Sequence, residues 1–206
     1  RQHAGNDNYA AIVRKNLDTL FAEETAVSDL AARLPGSPED GGVTFPAFGE
    51  RCRISPEGIF LGDARQSGPL GIVISLYALN AGLGPMVMAP FRAFKDFPGS
   101  MPYVGAFAAY TQEVLVPHVD AIRARTSEIV NALGGSTDVG EVSGDIAFRV
   151  MPLPKIALCY IFYEADEDFP ASATCLFSAN ANDFMPMDGL ADTGEYTSRK
   201  ILQLLT

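Results

Sequence analysis

Glu164, Asp166, Glu167 and Asp168 place four carboxylates within five residues, the densest concentration of potential chemistry in the chain. Like charges that close together raise one another's pKa unless a cation or an arginine lies nearby. With Asp183 a little downstream, Asp166 and Asp168 could offer oxygen ligands to Ca²⁺ or Mg²⁺. The loop lacks the DxDxDG spacing of a calcium loop, and Phe169-Pro170 cuts it short. A solvated turn between two hydrophobic strands, whose charge discourages edge aggregation, accounts for the same residues.

Other catalytic residue types are sparse. The histidines are His3 and His118, and the cysteines are Cys52, Cys159 and Cys175. His118 follows Pro117 at a break between helical patterns, where an imidazole could act as base or ligand or simply cap a segment. The cysteines are odd in number, far apart and without a CxxC or Cys/His pair, so neither a disulfide framework nor a zinc or iron–sulfur site is indicated. Cys159 and Cys175 read as small core residues. A GxSxG nucleophile motif is absent, and no cysteine has a local histidine partner. The remaining chemical feature is an irregular aromatic stretch, PMVMAPFRAFKDFPGSMP. Phe91, Arg92, Phe94 and Lys95, with Tyr103 just beyond and His118 further on, could line a pocket for a flat or apolar ligand. The competing reading is that these aromatics pin an irregular loop to the core.

With 206 residues, 48% of them hydrophobic and 19% charged, the chain has the composition of an ordered globular protein. It is long enough to bury about 70% of its unfolded surface without a metal or disulfide. Its formal charge of −10 repels phosphate backbones, so nucleic acid is not an expected partner. The apolar runs are too short to span a bilayer. Free cysteines point to a reducing, cytoplasmic setting, and a first residue of Arg1 rather than Met implies trimming or a missing upstream segment. The residues name no cofactor, oligomeric state or particular ligand.

Several elements must position these groups. Apolar spacing over Asn6–Leu34 predicts a helical segment, with a polar break at Glu23 and Glu24, ended by Pro35, Gly36 and Pro38. Short apolar runs over Gly41–Asp63 predict a small antiparallel meander of two or three strands. Pro69–Leu83 reads as a largely buried helix with Pro69 in its first turn. Tyr103–Leu133 reads as helix in two segments broken at Pro117. Ile146, Phe148 and Val150 alternate with less apolar residues as in a half-buried strand, followed by a turn at Met151–Pro154. Ile156–Tyr163 is apolar without alternation, the mark of a strand buried on both faces and central in its sheet. Thr174–Phe177 is a further strand, Ser178–Asp183 an Asn-rich turn, and Met187–Thr206 a closing amphipathic helix. The fold class is α+β: a mostly antiparallel sheet of about five to six strands covered by several helices. The whole of 1–206 reads as one domain. Residues 1–40 form a helical segment, 41–68 the meander, 69–135 helices and the aromatic loop, and 136–206 the strand-rich core with the last helix.

The segment DIAFRVMPLPKIALCYIFYEADEDFPASATCLFSANANDFMPMDGLADTGEYTSRKIL resembles the C-terminal half of the family numbered 3786 among the domains of unknown function. LYALNAGLGP and FRAFKDFPGS are similar to its middle section, and NYAAIVRKNL is compatible with its start. The resemblance implies a setting among anaerobic bacteria and archaea and implies no activity. Some members resemble fusions to a four-cysteine iron–sulfur domain, a module this sequence lacks.

Together these readings favour a small-molecule, cofactor or metal-binding accessory protein. A hydrolase or transferase using the carboxylates of the acidic turn is one alternative, and a protein–protein interaction module without a small-molecule site is another.

Overall fold

The computed structural model describes residues 2–22 and 27–206, with side chains from residue 5 onward. Arg1 and the break at Glu23 and Glu24 lie outside the described residues, as does the side chain of His3. Two helices, α1 (Gln2–Leu20) and α2 (Val27–Arg33), precede five short strands. These are β1 (Ser37–Glu39), β2 (Gly42–Ala47), β3 (Glu50–Ser55), β4 (Gly58–Leu61) and β5 (Ala64–Arg65), paired antiparallel in chain order. The meander expected from sequence is therefore longer than its two or three strands. Its edge strands are only three and two residues long, too short to show an alternation, and β1 carries a proline suited to an edge.

Helix α3 (Pro69–Asn80) is followed by the irregular stretch, which contains the two-residue strand β6 (Arg92–Ala93). The helical run to Ala132 is more broken than Pro117 alone predicts. A short α4 (Val104–Phe107) passes into a π-turn at Ala108–Gln112 and a 3₁₀ segment at Glu113–His118. Helices α5 (Val119–Ala124) and α6 (Thr126–Ala132) complete it. The second sheet adds β7 (Ile146–Leu153), β8 (Ile156–Tyr163) and β9 (Ser172–Phe177) in the order β6-β9-β8-β7, before α7 (Met187–Leu204) closes the described chain. The expected turn at Met151–Pro154 is shorter than predicted, because β7 continues through a register shift to Leu153, opposite Ile156.

The α+β class holds, with the strands divided between two antiparallel sheets. Strand β8 is interior, hydrogen-bonded on both sides, and its residues Ile156–Tyr160 are all buried. One face of this sheet presents Phe148, Tyr160, Phe162, Cys175 and Phe177 to the helices. The Tyr160 hydroxyl lies 2.9 Å from Ser198 Oγ on α7, and Ser198 in turn donates to the Thr111 carbonyl at 2.6 Å. Since the serine proton is committed to that carbonyl, Tyr160 is the donor to Ser198. A side chain at Gly194 would meet Phe107 at 2.8 Å and Thr111 at 3.0 Å, so glycine there lets α7 approach the π-turn closely.

Helix α3 is apolar on most sides and packs between α1 and α7. Its last carbonyls lack intrahelical donors. Two cations from distant parts of the chain engage the carbonyls at this end and in the loop that follows it. Arg33 of α2 donates to the carbonyls of Ala78 (3.1 Å) and Ala81 (2.7 Å). Lys155, in the β7–β8 turn and only 5% exposed, donates to Gly82 (2.5 Å) and Gly84 (2.9 Å). Burial, with Arg33 acting in the same direction, lowers the Lys155 pKa. Replacing Lys155 by Met keeps the apolar stem and removes both charge-assisted bonds. Lys155→Met is expected to lose about 1–3 kcal/mol in urea denaturation, with the fold retained by circular dichroism.

Candidate functional site

The residues singled out by sequence fall into three separate places. The acidic turn is exposed, and its geometry is internally satisfied. Asp166 Oδ1 accepts the backbone N–H groups of Asp168 (2.8 Å) and Phe169 (2.7 Å), while Glu164 pairs with Arg123 of α5. Asp183 sits in a 3₁₀ turn beyond the far end of β9. At about 3.3 Å per residue, β9 holds Asp183 roughly 20 Å from Asp166 and Asp168. The three aspartates do not converge, and among the described residues no group of three or more His, Cys, Asp or Glu is placed to hold a metal.

The aromatic loop lies at that far end as well, through pairing of Arg92 and Ala93 with Phe177 and Leu176. It is therefore not brought together with the acidic turn. Phe94 stacks on Phe107 with centroids 4.4 Å apart, and Phe97 meets Phe177 edge-on at 6.1 Å. Both rings are buried and serve the core. The Arg92 guanidinium lies 4.1 Å above the Phe97 ring and donates to the carbonyls of Ala179 and Asp96, both at 3.1 Å. Lys95 is exposed, Tyr103 half-buried, and His118 exposed at the start of α5. Phe91 lines a cleft of about 540 Å³ with Pro90, Val139, Glu141 and Val142.

A larger cleft, of about 720 Å³, opens where the two sheets meet. Its walls come from β1 and β2 (Ser37, Thr44, Phe45, Pro46), the β2–β3 turn (Gly49, Glu50, Arg51), the end of α6 (Asn131–Gly134) and β7 (Met151, with Pro154 just beyond). Ala47 pairs with Glu50, so Phe48 and Gly49 form a two-residue hairpin loop. Both have positive φ, 51° and 79°, as in the primed turns that match strand twist. Left-handed backbone is natural for Gly49 but unfavourable for phenylalanine. Phe48 is held there by tertiary contacts: it is 1% exposed, its ring meets Tyr196 edge-on at 6.5 Å, and its N–H donates to the Pro152 carbonyl at 2.8 Å. That bond joins the two sheets. A side chain at Gly49 would meet the Ala132 carbonyl at 2.5 Å, so the hairpin tip rests directly on the end of α6. The meander expected over Gly41–Asp63 did not single out Gly49. The available signal was Phe-Gly in a tight turn, a buried-type residue where asparagine or aspartate is usual.

The charges on the cleft wall are paired. Lys200 reaches across from α7 to Glu50 at 2.6 Å, and Arg51 pairs with Glu39. Apolar contact is offered by Pro46 and Met151. The cysteines lie elsewhere and are buried. Desolvation raises the Cys52 thiol to about 12 and Cys159 to about 11, and Cys175 is raised too. Thiols in that state are poor nucleophiles. Native protein at pH 8 is expected to give almost no reaction with 5,5′-dithiobis(2-nitrobenzoate) over minutes, and all three cysteines to react in guanidinium chloride.

Among the described residues, one carboxylate is raised clearly above its ordinary value. Asp192, half-buried on α7, is raised from 3.8 to about 6, first by burial and then by Glu195 and Asp188. The native state thus holds a proton that the unfolded state releases, and stability falls as pH rises between about 4 and 6. Asp192→Asn is expected to be more stable than wild type at pH 7 and equal to it near pH 4, by thermal melts at both values. Solvent screening at this half-exposed position limits the gain at pH 7 to about 1 kcal/mol.

A family model described as Domain of unknown function (DUF3786) matches residues 26–200. No curated protein and no solved structure matches the chain. Among the described residues, no helix is long and apolar enough to cross a membrane.

Proposed function

The chain belongs to the DUF3786 family of unknown function, and from that premise we propose that it is a binding protein for a small molecule held in the cleft between its two sheets. The observation that carries this reading is the cleft itself. Its volume of about 720 Å³ lies within the range of small-molecule sites, roughly 300–1,000 Å³. Its lining mixes apolar surface with a few polar groups, Thr44, Asn131, Glu50 and Arg51, as such sites do. Its walls come from segments far apart in sequence that meet at the Phe48-Gly49 hairpin tip. The acidic turn offers less support for hydrolase or transferase chemistry. It is exposed, and its carboxylates lie away from the cleft.

A second reading, an interaction module, draws on a different surface. Met101 is 79% exposed, Tyr110 59% and Val114 37%, in a helical run with little charge on a chain of net −10. Exposed apolar clusters of this kind mark protein contacts.

The two readings separate by one experiment. In a fragment screen followed by ¹H–¹⁵N correlation spectra, ligands are expected to move the amides of Thr44, Asn131, Gly134 and Met151. Asn131 is exposed, so Asn131→Trp should leave the fold intact while filling the cleft and abolishing those shifts. If no fragment perturbs these amides and the protein self-associates through Tyr110, the interaction reading stands in place of the cleft.

A further inference from the structure

We infer that the cleft takes a ligand with an apolar body and a nitrogen-borne hydrogen-bond donor, and discriminates against carboxylates and phosphates. The inference rests on the reading of the cleft as a binding site and concerns what chemistry it accepts.

The end of α6 supplies the acceptor. Gly134, with φ of 63°, turns the chain so that Gly135 N–H returns to the Val130 carbonyl at 2.8 Å. The next amide, Ser136 N–H, is drawn away to Arg149 of β7 at 3.1 Å. Leu133, at the helix end, gives its carbonyl to Met151 N–H at 2.9 Å. Ala132 is left over. Its carbonyl lies against Gly49, where only a Cα is present, and among the described residues no N–H donates to it. A carbonyl at a helix C-terminus carries partial negative charge and favours donors over anions.

The donors on the wall point to the same ligand chemistry. The cation that lines the cleft, Arg51, is engaged by Glu39, and Glu50 beside it adds a negative charge to the wall. An incoming anion would compete with Glu39 while facing Glu50 and the Ala132 carbonyl, on a chain of net charge −10. A neutral N–H donor meets none of these penalties. It can bond that carbonyl while its apolar body contacts Pro46 and Met151.

Three probes of one shape test this: benzamide, methyl benzoate and benzoate, titrated into the full chain and followed by ¹H–¹⁵N correlation spectra. Benzamide is expected to shift Thr44, the Asn131–Gly134 segment and Met151, and to bind about tenfold more tightly than methyl benzoate, the value of one net hydrogen bond. Benzoate should bind more weakly than either. Benzoate binding as tightly as benzamide at those residues, or methyl benzoate matching it, would overturn the donor requirement and leave the cleft as a binding site. Failure of all three to move those residues would count instead against the cleft reading.

Discussion

The C-terminal end of α3 is the constraint on which much of the arrangement depends. A helix as apolar as Pro69–Asn80 is stable only when surrounded, and surrounding it buries the Ala78 and Ala81 residues at its end, whose carbonyls then need donors. Arg33 supplies those two carbonyls, and Lys155 holds the Gly82 and Gly84 carbonyls of the loop that follows. Arg33 ties the N-terminal helices to α3. Lys155 ties the β7–β8 turn to it, fixing how the four-stranded sheet sits against the helical layer. Arg33 is a cation at a helix C-terminus, so its electrostatics and its hydrogen bonding act together. The ring of Phe184, 5.4 Å from Lys155 Nζ, adds a further favourable contact for the ammonium group.

With that anchor in place, the two sheets come close at one point, the Phe48-Gly49 loop. The backbone bond from Phe48 to Pro152 and the contact of Gly49 with Ala132 leave the surfaces beside them unfilled. Sheets that meet at a hairpin tip, rather than face to face, cannot interdigitate along their length. The cleft is the geometric consequence. One of its wall charges, Glu50, pairs with Lys200, 150 positions away, which again joins the meander to the last helix.

Much of the fold was legible in sequence. The unbroken apolar run Ile156–Tyr163 announced an interior strand, because alternation vanishes when both faces are covered. The apolar spacing of Pro69–Leu83 and the amphipathic stripe of the last helix were equally plain. Candidate chemistry was less legible. The acidic turn drew attention by density, yet Asp166 spends its carboxylate on its own turn, and Asp183 is held at the far end of β9. The aromatic loop drew attention by composition, yet Phe94 and Phe97 are core rings and Arg92 holds the loop's own carbonyls. Local density of a residue type reports what a segment contains, whereas a site depends on what distant segments bring to it.

The sequence by itself determined the α+β class, the interior strand, the buried helix and the family, because each is written in local periodicity or in contiguous residues. The tertiary structure alone decided that the strands form two sheets, that Lys155 and Arg33 meet at one helix end, and that a cleft opens beside Gly49. These depend on contacts between segments separated by tens to more than a hundred residues. Hydrophobic periodicity fixes which face of an element is buried, but not which partner buries it. That choice is made by carbonyls needing donors, by a glycine that permits close approach and by a phenylalanine held in left-handed backbone, and it becomes visible only once the chain is folded.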